Sequence, residues 1–278
     1  NDDHSCYVDE FGRRFIQGGG FFNQTDAPLL RHSIEELNAY EFPDLSRYHR
    51  FDHIPGELDL LSRNGYGISI DGPWGIFEIS SSLIGYEQYL MALADDPEYA
   101  YEIAEQVLYR HHFPFYEQLI GTLGNKIDIV GISDDLGSQT NLLISRKTYQ
   151  KIFKPLHQKL IEHIHKLSPA KIYMHSDGAI YPILPDLIEI GVDGINPVQY
   201  TARNMDLIRL KNEFGKDLGF FGGVIENELL SYGTPQQIKE TVQQNVEILK
   251  KDGGFIFAPI HNISQEVPAE NIIAMFEA

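Results

Sequence analysis

Two stretches of the chain carry side chains that could hold a metal ion: His175-Ser176-Asp177 and Ala258-Pro259-Ile260-His261-Asn262. Side chains two apart on an extended strand point to the same face, so a strand running through His175 and Asp177 would let both chelate one ion. His261 as a third ligand gives His, Asp, His around an open position, the layout of a catalytic zinc site. The same residues have a plainer use, in which Asp177-Gly178 is a turn and His175 a hydrogen-bonded core histidine. Asp134 and Asp135 form a carboxyl pair, and one member of such a pair can have a raised pKa suited to protonating a leaving oxygen or orienting a substrate. Asn196, Gln199 and Asp71 are candidate substrate contacts, although Asp, Asn and Gly also make turns and cap helices. His111, His112, His157, His163 and His165 fall in helical patterns, where surface or helix-end roles are expected. Cys6 is isolated near the start of the chain and is not read as a nucleophile.

These groups need elements to position them. Short apolar runs bounded by Gly, Asp or Pro read as buried parallel strands: Tyr66–Ile70, Ile127–Ile132, Lys171–Met174, Val192–Ile195, Leu218–Phe221 and Phe255–Ala258. Amphipathic helices lie between them. Tyr149, Ile152, Phe153, Leu156, Leu160, Ile161 and Ile164 recur at helical spacing, with a kink expected at Pro155. Thr234-Pro235 reads as an N-cap and first helical residue, and Gly253-Gly254 as a stop. Strand, helix, strand with short loops predicts right-handed βαβ units in an α/β fold, and the spacing fits a (β/α)8 TIM barrel with function at the strand C-termini. Six strands are two short of that barrel. Either the first strand precedes Asn1, or one lies unread between residues 72 and 125. Residues 1–60 read as a segment capping one end, with a hairpin turn at Asp9–Phe15 and a flexible loop at Gly18–Gly20, and residues 61–278 as the barrel of a single domain.

Composition removes whole classes of function. Forty acidic residues against 22 basic ones give a net charge of −18, which repels polyanions and disfavours nucleic acid and anionic membrane surfaces. One cysteine among 278 residues rules out a disulfide framework and any zinc site built on two thiolates of this chain. No apolar run has the length of a bilayer span, so a cytoplasmic protein is expected.

The residues now assembled resemble the uroporphyrinogen decarboxylase superfamily, in particular its corrinoid-dependent methyltransferase branch. The matching stretches are Ser133-Asp134-Asp135-Leu136-Gly137-Ser138-Gln139, His175-Ser176-Asp177-Gly178-Ala179-Ile180 and the run from Pro185 through Asn196-Pro197-Val198-Gln199, followed by Val267–Met275. The front part, with Asp9–Phe15 and Pro43-Asp44-Leu45, fits more loosely. The resemblance implies a TIM barrel whose members carry a further N-terminal segment with the first strand. It also implies methyl transfer from a small methylated donor to a cobalamin-type corrinoid on a separate carrier protein, and it leaves room for a homodimer. Zinc methyltransferases of this branch hold their metal with a His-x-Cys pair and a later Cys. Here His175 keeps the histidine, Asp177 replaces the first cysteine and His261 stands at the second. Histidine and carboxylate make a harder Lewis acid than thiolates do, which favours an oxygen substrate such as an aryl methyl ether. Asn196 and Gln199 are then donors to substrate or corrinoid. The rival is decarboxylation of uroporphyrinogen, whose enzymes also place a histidine near His261 but lack the His-x-Asp pair, and whose many-carboxylate substrate suits an acidic chain poorly. A third reading is a non-catalytic barrel that binds a corrinoid or its carrier.

Overall fold

In the computed structural model, which describes residues 6–18, 21–29, 33–45, 47 and 51–278, the hairpin expected at Asp9–Phe15 is present. The Asp9 carboxylate accepts from the amides of Phe11 at 3.1 Å and Arg13 at 2.9 Å, an arrangement that turns the chain on its own side chain. Strands β1 (Cys6–Val8), β2 (Arg14–Gly18) and β3 (Phe21–Asp26) then pair antiparallel in that order. Gly18 ends β2, while Gly19 and Gly20 of the expected loop lie outside the described residues. Arg13 is buried, and its guanidinium lies 4.7 Å from the Phe11 ring and 4.8 Å from the Trp74 ring, with Asp9 neutralising it.

Contacts divide the chain into two compact units, Asn1–Val130 with Lys147–Ala170, and Gly131–Arg146 with Lys171–Ala278. The first is mostly helical: α1 (Ile34–Ala39), α2 (Ile54–Arg63), then β4 (Ser69–Asp71), α3 (Ile76–Ile84), α4 (Tyr86–Asp95), α5 (Pro97–Val107) and α6 (Phe113–Leu123). The segment 72–125 therefore holds helices and no strand. Strand β5 (Ile129–Ser133) follows, then α7 (Arg146–Thr148) and α8 (Lys154–Leu167). Pro155 does not break the helix: it sits in the first turn of α8 behind a π-helical turn at Tyr149–Phe153, where its missing N–H costs little. Phe153, Phe77 and Tyr89 form an aromatic core with centroids 5.6–6.4 Å apart.

The histidine expectations need correction here. His111, His112 and His157 are buried, not at the surface. A second π-helical turn at Leu108–His112 shifts the helix register, which a 3.6-residue count cannot anticipate. His157 lies four residues from Phe153 and from Ile161, inside the apolar stripe itself.

In the second unit β6 (Lys171–His175), β7 (Gly194–Asn196), β8 (Gly219–Phe221) and β9 (Phe255–Ile256) pair in parallel, each with the next. The sheet order is β4-β5-β6-β7-β8-β9, the order of the chain. Helices α9 (Leu184–Glu189), α10 (Leu207–Phe214), α11 (Asn227–Tyr232), α12 (Pro235–Leu249) and α13 (Ala269–Phe276) complete it. Ile172, Met174 and Ile195 are fully buried, as strands covered on both faces require. Thr234 and Gln237 make the capping box of α12, and Ile238 and Val242 pack with Ala274 and Met275 of α13. This is the α/β strand order of a (β/α) barrel, with six of eight strands formed among the described residues. No helix among them is long and apolar enough to cross a membrane.

Candidate metal centre

Strand β6 ends at His175 and β7 at Asn196, and the two are partners in the parallel register. That pairing places the imidazole Nδ1 2.8 Å from the Asn196 Oδ1. The Asn196 Nδ2 donates to the Phe221 carbonyl at 3.3 Å, at the end of β8. With its NH2 so committed, Asn196 offers its oxygen to the ring, and Nδ1 must carry the proton and donate. The Nε2 lone pair is then free for a ligand, held in direction by three successive strand ends.

Strand geometry stops at His175, so Asp177 is presented by a turn. The Ser176 amide donates to the Asn196 carbonyl at 2.8 Å, and the Ser176 Oγ accepts from the Leu136 amide at 3.0 Å. The Asp177 amide donates to Asp135 Oδ1 at 2.9 Å, and the Gly178 amide to Gln199 Oε1 at 2.7 Å. Gly178 has φ +84°, and Gly137 lies against it so closely that a β-carbon there would stand 2.5 Å from the Asp177 carbonyl oxygen. Turn and metal set are thus compatible: the backbone contact at Gly137 brings Asp135 to the place where Asp177 and His175 converge.

Asp135, His175 and Asp177 each offer a ligand atom, and these atoms lie within 4.8 Å of one another. His175 Nε2 stands 3.8 Å from Asp135 Oδ1. Donor atoms bound tetrahedrally at about 2.0–2.2 Å from a zinc ion are roughly 3.3 Å apart, so small side-chain shifts would complete the coordination. Asp177 Oδ1 is buried without a hydrogen-bond partner, the state of a carboxylate oxygen that a cation would satisfy. Burial, and then the charge of Asp135, push the Asp177 carboxyl above the usual carboxylate range, against the opposing pull of His175 and His261. A divalent ion would remove both penalties. The residues fit such an ion.

His261, expected as the third ligand, stands beside this set with Nε2 3.7 Å from Asp177 Oδ2. Asp135, expected in proton transfer, has its carboxylate among the ligand atoms. Asp134 is fully buried, and its amide ties β5 to the His175 carbonyl at 3.0 Å. Asn196 is engaged with protein groups at both ends of its amide, so its observed part is to orient His175. Gln199 lines a cleft of about 290 Å³ together with Asp177, His261, Gln139, Glu226 and Glu228. Asp71 ends β4 in the first unit, where its charge adds to the upward push that burial gives the Tyr116 hydroxyl. Gln139, Glu226 and Glu228 of this wall are not among the candidates expected from the sequence. Their one signal was position, a few residues past the ends of β5 and β8.

Residues 26–278 match the sequence profile of the family described as "Uroporphyrinogen decarboxylase (URO-D)". The chain belongs to the uroporphyrinogen decarboxylase family. Its fold is similar to that of a methyltransferase from Methanosarcina mazei, with a TM-score of 0.70 and 16% identity over 97% of this chain and 75% of that one. No curated protein sequence matches it. The family profile agrees with the resemblance carried by the stretches around Asp134, His175 and Asn196, and the structural likeness adds the same fold in a methyltransferase. Within this uroporphyrinogen decarboxylase fold, the metal set sits where function is expected, past the C-terminal ends of β5 and β6.

Proposed function

We propose that this chain is a metal-dependent methyltransferase of the uroporphyrinogen decarboxylase family. It moves a methyl group between a small O-methyl compound, such as an aryl methyl ether, and a cobalt corrinoid on a separate carrier protein. The observation that carries this reading is the convergence of Asp135, His175 and Asp177, with the His175 lone pair aimed by Asn196. Zinc bound there supplies Lewis acidity to the heteroatom that releases the methyl group. The donors are nitrogen and carboxylate oxygen. Cys6, the sole cysteine, is exposed on β1 in the first unit, and a thiolate-free set favours an oxygen heteroatom over sulfur. His261, beside Asp177, is placed to complete the coordination or to hold the proton exchanged with the leaving oxygen. Gln199 accepts from Gly178 through Oε1 and leaves its NH2 to face a ligand in the cleft.

The cleft weighs against the decarboxylase reading. Its wall carries Asp177, Glu226 and Glu228 and no lysine or arginine, which opposes entry of a molecule bearing many carboxylates. Metal content measured by mass spectrometry tests the proposal. The expected result is about one zinc per chain, lost in His175→Ala and Asp177→Ala, with methyl transfer from methoxyarenes to cobalt(I) corrinoid lost in parallel. Folded protein that takes up no zinc from zinc-containing buffer would overturn the proposal and bring forward decarboxylation or simple binding.

A further inference from the structure

A second cavity in the same unit, of about 570 Å³, has a wall of different character. It falls in the size range of small-molecule sites, about 300–1,000 Å³. Residues 140–146 line it together with Ala179, Pro182, Arg203 and Asn204. No aspartate or glutamate lines it, although the chain has 40 acidic residues against 22 basic ones. Two arginines do. Arg146 is anchored by its Nε, 2.7 Å from Asp186 Oδ2. That carboxylate is only 3% exposed, whereas the arginine side chain is 47% exposed. Arg203 is exposed and has no ion-pair partner among the described residues, while its amide is fixed by the Gln139 carbonyl at 2.9 Å. Leu142, Leu143 and Ile144 supply apolar surface beside these cations.

Backbone hydrogen bonds hold the chain around this cavity. Gly137 and Leu142 form an antiparallel bridge, and the Ser138 amide donates to the Asn141 carbonyl at 2.7 Å. The Ala179 amide donates to the Ser138 carbonyl at 2.8 Å, which pins this small hairpin to the turn carrying Asp177. We propose that the cavity is a separate site for a small organic anion, a carboxylate or phosphate ester, whose charged group is held by Arg146 and Arg203 and whose apolar part rests on Leu142–Ile144. Guanidinium groups suit such oxyanions because their planar N–H array matches two oxygens at once. The proposal does not depend on the metal or on methyl transfer.

Calorimetric titration of the EDTA-treated full chain tests it, because removing metal leaves the arginines as the expected anion sites. The probes are phenyl phosphate, phenylacetate, inorganic phosphate and, as a cation of similar shape, benzylamine. Saturable binding is expected for at least one of the two aromatic anions, weaker binding for inorganic phosphate and none for benzylamine. The tighter of phenyl phosphate and phenylacetate identifies the head group. Arg203→Gln, at an exposed position without a partner, should weaken the anion roughly tenfold and leave the fold intact. Arg146→Gln should also weaken it, with some loss of stability from the lost ion pair to the buried Asp186. Absence of saturable binding by both aromatic anions, or equal binding by wild type and a folded Arg203→Gln, would overturn the proposal.

Discussion

The acidic cleft and the arginine-lined cavity draw on the same two backbone segments, yet they present opposite charge. Gln139 and Asp177 face the cleft, while Thr140 and Ala179 line the cavity. One or two residues of chain separate the two roles. The cleft gathers carboxylates and imidazole around a place for a cation, and its orphaned Asp177 oxygen shows an unmet demand for positive charge. The cavity offers two guanidinium groups beside apolar surface, one paired with Asp186 and one with no ion-pair partner among the described residues. A net charge of −18 describes neither. Charge sorting within a domain is local, because side chains on adjacent turns can face different walls and interact strongly only over a few ångströms.

Breaking the cleft should have the largest effect. Asp177→Ala is expected to lower zinc affinity at least about a hundredfold, read by chelator competition, and to leave anion binding at the cavity unchanged. A change at one place should disturb both regions together. Gly137→Ala would place a β-carbon 2.5 Å from the Asp177 carbonyl oxygen and 2.8 Å from the Ala179 amide nitrogen. The overpacking should cost about 1–3 kcal/mol in denaturant unfolding and weaken zinc and phenyl phosphate binding alike. If only one ligand is affected, the shared backbone does not couple the two walls.

Smaller effects sharpen the contrast. Asn196→Ala removes the acceptor that directs His175 and should weaken zinc roughly tenfold, while methoxyarene transfer at saturating zinc falls less. Thr234→Ala removes the capping box of α12, which supplies no lining residue to either region, and should cost about 1 kcal/mol with both ligands bound as before. The first unit supplies the mildest test. Burial lowers the pKa of His163 from 6.5, Glu117 opposing, with the ring stacked 4.0 Å from Phe113. The folded imidazole therefore binds a proton less readily than the unfolded one. Its contribution is fully present above pH 6.5 and is lost as pH falls through the folded pKa. His163→Phe should flatten that part of the stability curve in pH-dependent thermal melts.

Much of the frame is legible before any coordinates. The run Lys171–Met174 becomes β6, Phe255–Ala258 contains β9, and Thr234-Pro235 opens α12, because strand burial and helix capping depend on neighbours within a few residues. The pairing of His175 with Asp177 was also readable as a two-residue spacing, although the turn at Gly178 presents Asp177 in place of a continuing strand. Asp135 was visible as half of a carboxyl pair. Its place beside His175 was not, since it lies 42 residues from Asp177, its hydrogen-bond partner.

The amino-acid order alone determined the alternation of strands and helices, the acidic balance, the exclusion of a zinc site built on two thiolates of this chain and the identity of His175 and Asp177 as candidates. Tertiary structure decided which carboxylate joins them, which nitrogen of His175 is offered, and that Arg146 and Arg203 line one cavity with no aspartate or glutamate in its lining. Spacing along a chain sets which residues share a face of one element. Only the order and register of strands brings together residues that are distant in the chain, and only the packing of one turn on another, as at Gly137 and Gly178, sets their separations.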